Sequence, residues 1–81
     1  MKHFIVLVDW ALDGDEEVIV VGVTHTLEEA KELFNKQVVK EKEFAKNNYW
    51  PIVTDDDDLF EAYPKGYYTT EHTVLYIKEV K

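Results

Sequence analysis

Four consecutive aspartates, Asp55, Asp56, Asp57 and Asp58, form the densest group of potential metal ligands in this sequence. Hard cations such as Ca²⁺ and Mg²⁺ need several oxygen ligands on a loop that can wrap around them. Adjacent residues of an extended chain point to opposite sides, so only two of these four carboxylates converge easily. The run therefore predicts a solvated turn. Weak binding of a divalent cation is the alternative, and no metal site is assigned.

The stretch DWALDGDEEVIV partly matches a calcium-binding EF-hand loop, with Asp13 and Gly14 at the positions of a ligand and of the glycine. The match fails because Ala11 stands at a ligand position and Val20 replaces the final glutamate. Asp13 and Asp15 are therefore assigned to a turn.

Other reactive side chains are few. His3, His25 and His72 do not have the spacing of zinc ligands, and the sequence contains neither cysteine nor serine. Three glycines leave little material for a phosphate-binding loop. We therefore predict a protein that is not an enzyme, with no catalytic residues and no cofactor.

Tyrosine beside charge is typical of a binding surface, and Tyr67 and Tyr68 follow the aspartate run closely. We count both as candidate binding residues. A small ligand held by residues 55–68 is an alternative function. Glu41 is also a candidate functional group, because it falls within an apolar helical stripe. The competing interpretations are that the stripe ends at this position, or that Glu41 pairs with a tyrosine or lysine at the edge of the sheet.

The charge is strongly acidic, at −8 for 81 residues, and all nine basic residues are lysine. Without arginine the chain lacks the bidentate group that reads guanine, so direct nucleic-acid binding is not expected. The region 26–47 holds five glutamates and five lysines, which places the whole excess of charge outside it. We expect one acidic edge that binds a basic protein surface, formed by two clusters: Asp13, Asp15, Glu16 and Glu17, and Asp55, Asp56, Asp57 and Asp58.

The elements that position these residues follow from periodicity and turn chemistry. Residues 3–10 and 17–23 predict a β-hairpin, with the turn residues in 11–16. Gly22 inside the second strand indicates a bulge or a close backbone approach. Thr26 and Glu29 form a capping box that starts a helix ending near Asn47.

The remaining chain predicts short strands at 52–53 and 59–63, separated by the aspartates, and a final strand at 73–80. The result is an α+β fold in a single domain, residues 1–81. A small antiparallel sheet consists of the hairpin and one or two C-terminal strands in the order 2-1-3, packed on one long helix.

Both hairpin strands are apolar on both faces, although one helix covers only one face of a sheet. Either the aromatic segment 48–70 or a second copy of the protein must cover the other face. We expect a homodimer.

The first ten residues contain an apolar run too short for a signal peptide, and no stretch reaches membrane-spanning length. Together with the lack of cysteine, this leads us to expect a cytoplasmic protein that does not bind membranes.

The segments TLEEAKELF and GYYTTEHTVLYIKEV resemble parts of short acidic proteins from gut bacteria and their phages or mobile elements. The resemblance extends over most of the chain and implies no known activity. In size and acidity the protein also resembles phage-encoded inhibitors that occupy the nucleic-acid groove of a defence protein. That second resemblance implies an alternative function as a nucleic-acid mimic.

Overall fold

A computed structural model of the protein describes residues 2–64 and 71–81. The elements are β1 (His3–Leu12), β2 (Asp15–Thr24), α1 (Leu27–Asn47), β3 (Ile52–Asp55), β4 (Leu59–Ala62) and β5 (His72–Val80). The strands form one antiparallel sheet in the order β2-β1-β5-β4-β3, and α1 packs on one face. The predicted class, an antiparallel sheet with one helix, is confirmed. Strands β4 and β3 extend the sheet beyond the predicted three-strand order.

The hairpin turn is tighter than predicted. Strand β1 continues to Leu12 and β2 begins at Asp15, which leaves only Asp13 and Gly14 between them. Both have positive φ, 52° and 87°, as a type I′ turn requires. Because this turn matches the twist of the flanking strands, it allows a long hairpin with ten residues in each strand.

Gly22 lies at a bulge and also at a close contact, the two roles that its position in the strand indicated. Val6 pairs with Gly22 and Leu7 with Val20, so Val21 has no direct partner in β1. A Cβ atom at Gly22 would lie 2.5 Å from Cδ2 of Leu33. The missing side chain at Gly22 therefore leaves room for the Leu33 side chain, which would have to shift if a Cβ atom were present.

The N-terminus of α1 is capped by Thr26, whose hydroxyl accepts a hydrogen bond of 3.1 Å from the amide of Glu29. The Glu29 carboxylate accepts from the same hydroxyl at 3.0 Å, whereas the capping box predicted a bond to the Thr26 amide. No helix in residues 2–64 and 71–81 is long and apolar enough to cross a membrane.

The core lies between α1 and the facing side of the sheet. Its largest fully buried side chains include Phe34 from the helix, Phe60 from β4 and Leu75 from β5. Other buried members come from every part of this layer: Val6, Val8, Ala30, Val38, Ala45, Trp50 and Ala62. The helical stripe that the sequence predicted therefore faces the sheet.

The C-terminus of α1 ends in a Schellman motif, although no glycine is present. The amide of Trp50 donates to the carbonyl of Ala45 at 2.8 Å, and the amide of Tyr49 donates to that of Lys46 at 3.2 Å. Trp50 also packs edge-on against Phe44, with ring centroids 5.1 Å apart. Tyr49 occupies the left-handed position with φ 59°, and its side chain is 89% exposed.

Tyr49→Gly is expected to stabilise the protein by up to about 1 kcal/mol, because a left-handed conformation costs a side-chain-bearing residue roughly 1–2 kcal/mol and glycine almost nothing. Urea unfolding gives the free energy directly. Tyr49→Ala is the control, since alanine keeps the left-handed penalty. Equal stability of the two variants would contradict this account of the helix end.

Candidate functional site

The face of the sheet opposite α1 presents a continuous set of apolar side chains. Side chains alternate between faces along a strand, and the strand register places them in rows across the sheet. The central row runs Val20, Leu7, Tyr76 and Leu59 from β2 to β4. The rows on either side of it add four more apolar residues: Val18, Val74, Val23 and Ile5.

This helix-free face is most exposed along β2. Val18, Val20 and Val23 are 58%, 57% and 58% exposed, respectively, values unusual for three valines of one strand. Because β2 is an edge strand, one of its sides also carries unpaired backbone groups. The sheet therefore combines an apolar face with an open edge.

The predicted cover for this face is not formed by the part of segment 48–70 that the structure describes. Strands β3 and β4 join the edge of the sheet instead of crossing it. Trp50 and Phe60, two of the aromatic residues expected to provide the cover, are buried in the core on the helix side. The reason is that β4 pairs with β5, and this pairing turns Phe60 toward the same side as Leu75.

Polar groups surround the apolar rows near the hairpin end. Nε2 of His72 lies 2.9 Å from Oδ1 of Asp9, an ion pair when the imidazole is protonated. The hydroxyl of Tyr63 donates a hydrogen bond of 2.6 Å to Glu61. Neither pair is predicted from the sequence. The Asp9–His72 contact spans 63 positions and depends on the register between β1 and β5.

The two acidic clusters do not form the single acidic edge that was predicted. Asp13, Asp15, Glu16 and Glu17 belong to the hairpin and the first half of β2, whereas Asp55 ends β3 and the next three aspartates connect it to β4. Strands β2 and β3 are opposite edges of the sheet. The clusters also lie toward opposite ends of the strands. The hairpin turn is close to His72, the first residue of β5. The carbonyl of Asp58 accepts a hydrogen bond from the amide of Ile77, in the second half of β5.

Residues Asp55 to Asp58 form a tight turn next to the helix. The amide of Asp56 donates to the carbonyl of Leu59 at 2.9 Å. Lys42 lies 2.9 Å from Asp55, and Lys31 lies 3.7 Å from Asp57. Helix lysines therefore partly neutralise this cluster. Within the described ranges, no three histidine or acidic side chains are grouped so that they could hold a metal ion.

The hairpin cluster has a different environment. Among the described residues, no ion pair involves Asp13, Asp15, Glu16 or Glu17. All four are exposed. Within the described part of the chain, the hairpin is therefore the part of the predicted acidic surface whose carboxylates form no ion pair. Tyr67 and Tyr68, the other candidate binding residues, lie outside the residues that the structure describes.

Glu41 is buried, at 8% exposure, as its place in the apolar stripe indicated. Its Oε1 accepts a hydrogen bond of 2.7 Å from the hydroxyl of Thr73 on β5, and its Oε2 accepts one of 2.8 Å from Gln37. These partners replace the tyrosine or lysine that was expected. The carboxylate thus fixes the helix against the middle of the sheet.

The hydrogen bond to Glu61 raises the pKa of Tyr63 to about 12, with smaller contributions from burial and from the negative charges of Glu61 and Asp9. The ordinary value is about 10. A raised pKa means that this bond contributes stability fully below about pH 10 and loses it as the pH rises through about 12. Glu61→Gln is expected to lower the pKa of Tyr63 toward 10.

This prediction can be measured from the phenolate absorbance, or from the ¹³Cζ shift of Tyr63 during an alkaline titration. Glu79→Gln is the matched control, because it removes a carboxylate from the other end of the sheet. A pKa of Tyr63 that is the same in wild type and in Glu61→Gln would contradict the assigned cause.

Comparisons with models of protein families, with curated proteins and with solved structures found no match to this chain.

Proposed function

We propose that the protein is a non-enzymatic interaction domain that binds a second copy of itself through the helix-free face of its sheet. The observation that carries this proposal is the exposure of Val18, Val20 and Val23, each above 55%. Together with the half-buried Ile5, Tyr76 and Leu59, they form an apolar patch around Leu7, which is itself buried at 8% exposure. Contiguous apolar patches on a folded protein mark interaction sites. Removing these apolar side chains from water is the favourable contribution to the free energy of self-association.

The distribution of charge around this face supports a twofold arrangement. The row on the hairpin side of the central row contains Asp9 and Glu61, while the row on the other side contains Lys78. A twofold axis that lies between the two sheets, parallel to the central row, would place the row containing Asp9 and Glu61 of one copy over the row containing Lys78 of its partner. The same surface is then complementary to itself, as an isologous dimer requires.

The composition of the central row also suits a face-to-face dimer. Two sheets pack at about 10 Å, with interdigitated side chains from their inner faces. Val20, Tyr76 and Leu59 supply such side chains, while Leu7 between them is already buried. The Tyr76 ring adds the large contact area and polar end typical of interface residues.

The acidic hairpin gives the same domain a second role, the binding of a basic protein surface. Asp13, Asp15, Glu16 and Glu17 are exposed and clustered at one end of the sheet. Such a cluster acts mainly on association rate and on the choice of partner, and salt screens it strongly. This part of the proposal concerns the hairpin more than Asp55 and Asp57, which helix lysines already approach.

Self-association is tested by Val20→Lys, measured by size-exclusion chromatography with light scattering. A lysine on the central row would place a charge in the dimer interface while remaining solvated in the monomer. Wild type is expected at twice the chain mass of 9.5 kDa, and Val20→Lys at that single mass.

Val39→Lys is the matched control, because Val39 is 65% exposed on the outer side of α1 and the same substitution there should leave the dimer intact. A wild-type protein that stays monomeric up to millimolar concentration would overturn the dimer. A dimeric Val20→Lys protein would overturn the assigned face.

The charge role is tested with a hexalysine peptide followed by amide NMR shifts. At low ionic strength the shifts are expected to concentrate on the hairpin residues, and they should decrease strongly as salt is added.

Neutralising the four hairpin carboxylates with Asn and Gln should abolish these shifts. Neutralising Asp55 to Asp58 removes the same charge and should leave most of them. Equal effects of the two quadruple variants, or shifts that salt does not change, would contradict the proposal.

A further inference from the structure

A cavity lies on the helix side of the sheet, between α1 and the hairpin. Its volume is about 400 Å³, within the range of small-molecule sites. The lining comes from β1, β2 and one side of the helix: Val8, Trp10, Glu17, Ile19, Gln37, Lys40, Glu41 and Phe44. Because the opposite face carries the proposed dimer contact, this cavity is independent of self-association, and it shares only Glu17 with the acidic hairpin.

The cavity exists because the helix crosses the hairpin at an angle. Leu33 packs directly on Gly22, so α1 touches β2 near the end of that strand. Further along the helix, Glu41 is bonded to Thr73 on β5, two strands away from β2. The helix therefore diverges from β2 toward the hairpin end and leaves a wedge of space above Val8 and Ile19.

The residues that line this wedge follow from the periodicity of the helix and from the alternation of side chains along the strands. Gln37, Lys40, Glu41 and Phe44 are spaced three and four residues apart and so share one side of α1. On the sheet, Val8 pairs with Ile19, and Trp10 pairs with Glu17 in the next row. The cavity is thus bounded by aliphatic residues, by two aromatic rings and by a small number of polar groups.

Glu41 is the group that indicates the chemistry of a ligand. It is more than nine-tenths buried, and its two hydrogen bonds come from neutral donors, Thr73 and Gln37. Among the described residues, no lysine or histidine lies within ion-pair distance of this carboxylate. A buried carboxylate without a cation is energetically costly, and a cationic group beside it would offset that cost.

We propose that this cavity is a binding site for small organic cations with an apolar body, such as arylalkylammonium compounds. The ammonium group interacts with Glu41, and the apolar body contacts Val8, Ile19 and the Phe44 ring. The Trp10 ring adds a cation–π surface. Lys40 and Glu17 at the opening carry opposite charges, which offset each other. The remaining charge is that of the buried Glu41, and it determines the preference for a cation.

The test compares two ligands that differ only in the head group, 2-phenylethylammonium and 2-phenylethanol, by amide NMR titration at neutral pH. The ammonium compound is expected to bind about tenfold or more tightly than the alcohol, since a charged partner strengthens a hydrogen bond to a carboxylate. The shifts should concentrate on the lining residues and on the indole NH of Trp10.

Glu41→Gln should remove the difference between the two ligands. Glu43→Gln is the matched control, because it removes the same charge from an exposed position on the same helix. Equal binding of the two ligands to wild type would overturn the proposal, and so would shifts outside the cavity or the absence of saturable binding. A Glu41→Gln protein that keeps the full preference for the ammonium compound would also overturn it.

A second variant pair does not depend on the stability of Glu41→Gln. Ile19→Ala removes a half-exposed lining side chain and should weaken both ligands, whereas Val18→Ala, on the other face of the same strand, should weaken neither. Equal effects of these two substitutions would place the ligand outside this cavity and contradict the proposal.

Discussion

One helix is too narrow to cover a five-stranded sheet, and this mismatch determines where the protein exposes apolar side chains. A helix is about 10 Å wide, whereas the outer strands of five lie roughly 19 Å apart. Helix α1 packs on β2, β1 and β5, and the core between helix and sheet includes the fully buried Phe60 and Leu75. Among the residues that the structure describes, no element crosses the opposite face of the sheet, and the helix layer stays open on its hairpin side. The first of these regions is the surface we propose for self-association, and the second is the cavity.

Two contacts fix how the helix lies on the sheet. Gly22 allows Leu33 to approach β2, and the hydrogen bond from Thr73 to Glu41 attaches the second half of α1 to β5. Because these contacts involve different strands, the helix crosses the hairpin at an angle. A single buried carboxylate thereby has two consequences, the orientation of α1 and the charge of the cavity beside Phe44.

The fold also separates the negative charge into two regions with different surroundings. Lys31 and Lys42 on the helix approach two of the four consecutive aspartates, so part of the most acidic stretch in the sequence serves the contact between helix and sheet. The hairpin keeps its exposed carboxylates at the far edge. A count of charges along the chain therefore does not reveal that lysines approach Asp55 and Asp57, whereas no ion pair among the described residues involves the hairpin carboxylates.

The sequence by itself determined the local features: the Asp13–Gly14 turn, the Thr26 cap, the helix and its apolar stripe, and the special role of Gly22. Each depends on interactions within a few residues or on a periodicity that a single segment displays. Only the tertiary structure decided that β3 and β4 extend the sheet, that the two acidic clusters lie apart, and that Glu41 meets Thr73. These outcomes depend on the pairing of strands distant in sequence. No local signal specifies that register, because it is chosen by the packing of the whole sheet against one helix.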